Sequence, residues 1–95
     1  MPKRTQKPDD LALLGKAIRQ LRDERRLSQG ELAVATGVGE RRIQALEAGR
    51  LDPDYMLLLA LAKALGVRAG ALVIRAEELA RQDVESEDAV EDEPG

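Results

Sequence analysis

The chain has no cysteine and no histidine, no tryptophan or phenylalanine, and a single aromatic residue, Tyr55. Without cysteine there is no disulfide framework and no thiolate nucleophile. Without histidine as well, the usual zinc ligands are missing, and so are the Ser–His and Cys–His pairs of nucleophilic catalysis. Long apolar runs are also missing, and none approaches the roughly 18–20 residues of a membrane span. The opening MPKRTQKPDD is basic but leads into no uninterrupted apolar segment, so no signal peptide is expected. The sequence holds no phosphate-cradling glycine loop, and its carboxylates are scattered along polar stretches. These absences point away from an enzyme, a metal or a cofactor, and towards a cytoplasmic protein.

What is present is aliphatic and charged. Of the 95 residues, 43% are apolar, and apart from Tyr55 and two methionines these are Leu, Ala, Val and Ile. That composition suits helices packed through Leu and Ala better than a sheet, which draws on aromatic and β-branched side chains. The net charge of −3 hides a segregation. Residues 83–95, DVESEDAVEDEPG, carry seven of the 18 acids and no base, which leaves residues 1–82 with 15 bases against 11 acids. A basic domain with an acidic tail is a different object from an acidic protein.

Along the chain, residues 1–9 read as a flexible basic arm with Lys3, Arg4 and Lys7. Leu11, Leu14, Ile18 and Leu21 recur at helical spacing and predict an amphipathic helix over 10–25. Ser28 and Glu31 form an S-x-x-E capping box for a second helix that ends at Gly37. A third helix runs from near Gly39 through Ile43 and Leu46 to Gly49. Pro53 disfavours helix at Asp52, and Asp54 caps a fourth helix carrying Tyr55, Leu58, Leu61, Ala62 and Leu65. A fifth starts near Ala69 or Gly70. Its extension through 74–82 leads into an acidic tail, 83–95, whose like charges predict disorder. Gly37 supplies a tight turn between helices two and three, Ala33 a small contact at their crossing and Val38 an apolar plug. Leu32, Ile43 and Leu46 then face the core and leave the other face of helix three outward.

In order and spacing, IRQLRDERRLSQGELA, TGVGERRIQALEAG and LLALAKALGV resemble the phage-repressor/Cro-type (xenobiotic-response-element-like) helix-turn-helix family. The resemblance covers about residues 11–73. It implies an all-α bundle of five short helices, a domain over 10–73, and a third helix (about 40–48) that enters the major groove of double-stranded DNA. It places Glu40, Arg41, Gln44 and Ala45 at base edges. Arg41 suits bidentate contact with guanine, Gln44 suits adenine, and Ala45 offers a methyl to thymine. Arg42, Gln29 at the start of helix two and Arg50 after helix three are expected at phosphates. Two readings stand for Glu40: it accepts a hydrogen bond from cytosine N4, or it serves the positive end of its helix and pairs with a neighbouring arginine. The resemblance also pairs Arg22 with Glu47 as a structural tie between helices one and three.

Partners follow from the same reading. One helix-turn-helix reads few base pairs, so a homodimer on a palindromic operator is expected. Leu72, Val73 and Ile74 cannot all face one small core, and together with Met56 and Leu59 they suggest a dimer face around helix five. The alternative is that helix five folds over these residues in a monomer. Sequence-specific transcription regulation, by repression as the family tends to do, is the leading expectation. An antitoxin whose C-terminal segment binds a toxin, and an adaptor that uses the fold to hold a protein partner, are the rivals.

Overall fold

The computed structural model describes residues 6–91, with side chains over 10–82. These residues form five helices and no strand: α1 (Gln6–Glu24), α2 (Gln29–Thr36), α3 (Glu40–Glu47), α4 (Tyr55–Leu65) and α5 (Ala69–Glu91). The expected all-α, five-helix bundle is the observed one.

Local chemistry sets the internal boundaries. Ser28 Oγ accepts the Glu31 amide at 2.9 Å, and the Glu31 carboxylate accepts the Ser28 amide at 2.8 Å, closing the capping box on α2. Gly37 ends that helix at φ +81°, a left-handed conformation that strains any residue with a Cβ. Asp54 Oδ1 accepts the Leu57 amide at 2.9 Å and starts α4. The outer boundaries lie further out than the periodicity indicates. Helix α1 begins at Gln6, because Pro8 falls in its first turn, where the amide it lacks has no helical partner anyway. Helix α5 passes Gln82 and its backbone continues to Glu91, since neither glycine nor proline interrupts residues 71–93. Lys3 and Arg4 of the expected arm fall outside the described residues, as do the side chains of Lys7 and of the acidic tail.

One core joins all five helices: Ile18 and Leu21 of α1, Leu32 and Ala33 of α2, Ile43 and Leu46 of α3, Leu57, Leu61, Ala62 and Leu65 of α4, and Leu72 of α5. Val38, Leu14, Leu51 and Leu58 pack against its edge. Truncating any one of the fully buried leucines to alanine is expected to cost about 2–5 kcal/mol. Helix α4 corrects one expectation. Its buried stripe is Leu57, Leu61 and Leu65, whereas Tyr55 is 69% exposed in the first turn. The segment YMLLLALAKAL is apolar on nearly every face, so periodicity alone leaves its register open, and packing against α2 and α5 chooses it.

Helix α5 runs antiparallel to α1. Its early residue Arg75 reaches Gln20 and Glu24 near the end of α1, while Ala76 and Ala80 line a groove with Asp10 and Leu13 near the start. Arg75 donates to both Glu24 carboxylate oxygens, at 2.8 and 3.3 Å, and to Gln20 at 3.2 Å. The Arg75 hydrogen bond holds the Glu24 carboxyl below its ordinary range, and the same bond raises Arg75.

Candidate nucleic-acid interface

Helix α3 is short, so its orientation depends on what grips it. Its inner face is Ile43 and Leu46, both buried, and the period of about 3.6 residues per turn then fixes the rest. Arg41 lies opposite the core face, Gln44 and Ala45 stand beside it, and Glu40 and Arg42 occupy the two flanks. Glu40, Arg41, Arg42 and Gln44 are exposed and Ala45 is half-buried. Arg50, in the turn after the helix, is exposed as well. None of these side chains is tied into an ion pair among the described residues.

Two devices hold the helix in place. The first is the expected pair of Arg22 and Glu47. Arg22 Nε and Nη2 donate to Glu47 Oε2 and Oε1 at 2.6 and 3.0 Å, with side-chain exposures of only 11% and 4%. The third guanidinium nitrogen of Arg22 donates to the Leu27 carbonyl at 2.8 Å. The hydrogen bond to Glu47 raises the Arg22 pKa against the opposing effect of burial. A fork-on-fork pair of this kind sets geometry as well as energy.

The second device is not legible as such in the sequence. Gly15, in the middle of α1, lies against the C-terminal turn of α3. A Cβ built there would collide with the Leu46 carbonyl oxygen and come within 2.6 Å of that of Glu47. Just past α3, Gly49 takes φ +78° and has room for its turn only because it lacks a Cβ, which would stand 2.8 Å from Ala12 Cα. A glycine inside a helix costs about 1 kcal/mol relative to alanine, so Gly15 is the one available signal of a close backbone approach.

Two of the expected site residues also make contacts within the protein. Gln29 is expected at a phosphate, but its side-chain amide donates to Glu47 Oε1 at 3.0 Å, extending the α1–α3 tie to α2. The backbone amide of Gln29 lies in the first turn of α2, where no carbonyl of the helix takes it. Glu40 pairs with no arginine among the described residues. Its carboxylate instead lies over the first turn of α2, with Oε1 3.3 Å from where a Cβ of Gly30 would stand. Glu40 thus stands in the first turn of α3, at that helix's positive end, and close to the positive end of α2 as well.

A five-helix bundle with this gripped, outward-facing third helix defines a helix-turn-helix protein, and the sequence agrees. The sequence model of the helix-turn-helix family matches residues 18–72, which is more than half of the chain. The chain belongs to this family, in its Cro/C1-type branch, a family of transcription regulators. It is 36% identical over 66 residues to the HTH-type transcriptional regulator y4dJ of Sinorhizobium fredii, covering 70% of this chain and 86% of that one. It is 46% identical over 55 residues to multiprotein-bridging factor 1 of Candida albicans. That match covers 58% of this chain but 36% of the fungal protein, so the chain spans well under half the length of that relative. Among solved structures, the clp gene regulator ClgR of Corynebacterium glutamicum superposes with a TM-score of 0.80 at 27% identity, over 95% of this chain and 92% of the other. The restriction-modification controller protein C.AhdI of Aeromonas hydrophila gives 0.67 at 31% identity, over 67% and 97%. No single helix among the described residues is long and apolar enough to cross a membrane.

Proposed function

We propose that this chain is a sequence-specific reader of double-stranded DNA that represses transcription as a cytoplasmic homodimer on a palindromic operator. The observation that carries the reading is the outward face of α3, where Arg41 stands clear of any ion pair among the described residues while the helix beneath it is gripped by Arg22, Glu47 and Gly15. An exposed guanidinium held on a rigid helix suits bidentate contact with guanine O6 and N7 in the major groove. Gln44 and Ala45 extend the reading face, and Arg42 and Arg50 supply phosphate contacts on either side. The backbone amide of Gln29 is directed to a phosphate in place of its side chain. Glu40, lying over the start of α2, opposes a phosphate there and lowers non-specific binding.

The dimer face lies around α5. Leu72 belongs to the core, but Ile74 is 55% and Met56 69% exposed, with Val73 also open to solvent. A second reading, that the fold holds a protein partner, is favoured by the likeness to multiprotein-bridging factors and by the acid at Glu40, and opposed by the exposed Arg41, Arg42 and Arg50.

Selection from a random duplex pool, with wild type and Arg41→Ala, tests the proposal. Enrichment of a palindrome with half-site centres about 10–11 base pairs apart is expected, with discrimination at one position per half-site lost in the variant at a cost of about 1–3 kcal/mol. Failure to bind any duplex at low salt would reject DNA reading and favour the protein partner.

A further inference from the structure

The charge along α5 is ordered the wrong way for the helix itself. A helix favours acids in its first turn and bases in its last, because its N-terminus is positive and its C-terminus negative. Helix α5 has no acid in its first turn and no base in its last. Arg68 stands immediately before it, and residues 77–95 hold nine acids against the single base Arg81. Both ends therefore carry charge that does nothing for the helix, and the like charges of the acidic end repel one another unless cations approach.

The basic end is wider than one residue. Residues 55–76 contain Lys63, Arg68 and Arg75 and no acid at all. Arg75 is taken by Glu24, but Lys63, in the last turn of α4, and Arg68 are exposed on either side of Gly66. Arg25 joins them from the end of α1, donating to the Gly66 carbonyl at 3.4 Å, and Arg26 follows it, also exposed. None of these four bases is in an ion pair among the described residues. They gather where α4 turns into α5, whereas α3 packs against α1 and α2. The chain's one aromatic residue, Tyr55, is at the other end of α4, so the patch has no ring on which to stack a base. Its chemistry is that of a seat for an acidic peptide.

We infer that this basic end holds the acidic C-terminal segment, residues 83–95, of a second copy of the chain. The chain's own segment is carried away from the patch. Helix α5 is about 34 Å long, and the four residues beyond Glu91 span about 14 Å at most. A second copy meets no such limit. Where two α5 helices cross antiparallel near Ile74, residue 83 of one lies about 14 Å beyond the crossing, and residue 68 of the other about 9 Å in the same direction. The acidic segment then runs out over the partner's α4–α5 turn, and two-fold symmetry makes the contact twice. The inference rests on the dimer part of the proposed function and not on DNA reading.

Sedimentation of full-length variants, alone and mixed, at low and high salt, tests this. One variant neutralises the patch (Arg26→Gly, Lys63→Gln, Arg68→Gln), and a second turns the seven acids of 83–95 into amides. Arg26 has φ +57°, so glycine there removes the charge and relieves the backbone, and the patch variant is expected to melt with the wild type. Each variant is expected to associate about ten-fold more weakly than wild type at low salt, and all three to converge at about 1 M salt. Combining both sets of changes costs no more than either alone. An equimolar mixture of the two variants associates more tightly than either, since one intact patch then meets one intact tail. Wild-type association in the tail variant, or additive losses in the combined one, would overturn the inference. So would a mixture no tighter than its parts, the mark of a contact within one chain. Loss of duplex affinity in the patch variant without loss of association would make the patch a nucleic-acid surface and overturn it as well. If Ile74→Asp abolishes association while the patch and tail variants keep it, the dimer face stands and this contact fails. A wild type that stays monomeric at every concentration removes both.

Discussion

The two sides of the bundle are held by different chemistry. Where α1 meets α3, the contact is polar and close: a buried carboxylate shared by Arg22 and Gln29, and a glycine against two carbonyl oxygens. Where α4 meets α5, the contact is aliphatic, through Leu57, Leu61, Leu65 and Leu72, and the helices keep Met56, Val73 and Ile74 on the outside. Aliphatic packing tolerates a shift of register at modest cost, whereas a bidentate pair and a missing Cβ do not. The rigid side carries the helix proposed to read DNA, and the side with apolar surface to spare is the one proposed to meet a second copy.

The comparison is broken most severely at Glu47. Glu47→Ala leaves the Arg22 guanidinium buried without its partner, and a loss of about 3–5 kcal/mol in unfolding free energy is expected by chemical denaturation. A loss below about 1 kcal/mol would mean that the tie is ornamental. Gly15→Ala comes next. Its Cβ forces α1 and α3 apart, at an expected cost of about 1–3 kcal/mol, and DNA affinity falls further than stability because the reading face tilts. A Gly15→Ala variant that melts and binds like wild type would show that the two helices separate freely.

On the other side, Ile74→Asp is expected to leave the melting of the monomer within about 0.5 kcal/mol, as an exposed substitution does, while lowering association measured by sedimentation and abolishing cooperative half-site binding. Unchanged sedimentation would move the dimer face elsewhere. The smallest effect is at Glu24. Arg75 lowers its folded-state pKa from the ordinary 4.5, so the bond's stabilisation is fully present above that value and is lost as pH falls through the lowered one. The difference in melting temperature between wild type and Glu24→Gln, small at neutral pH because the pair is exposed, should vanish in acid.

Most helix boundaries are legible in the sequence because caps are local chemistry. Ser28 with Glu31, Gly37, and Asp54 after Pro53 each act within four residues, so reading the chain finds them. The bundle and the outward set of α3 follow from the Ile43/Leu46 spacing and the family's pattern. What escapes depends on residues distant in sequence. Gly15 announces a close approach but not to what. Gln29 has two polar uses, and only the placement of Glu47 decides that its side chain turns inward. The α4 register is hidden because nearly every residue there is apolar, and Tyr55 is misplaced in consequence.

That misplacement has a practical side. Tyr55 is the chain's only strong near-ultraviolet chromophore, and it stands in water at the start of α4. Its emission is thus a built-in optical probe with a single origin. Unfolding should change it little, since the ring is already solvated. A change that grows with protein concentration would instead mark a neighbouring molecule arriving at the aliphatic side, with no label attached.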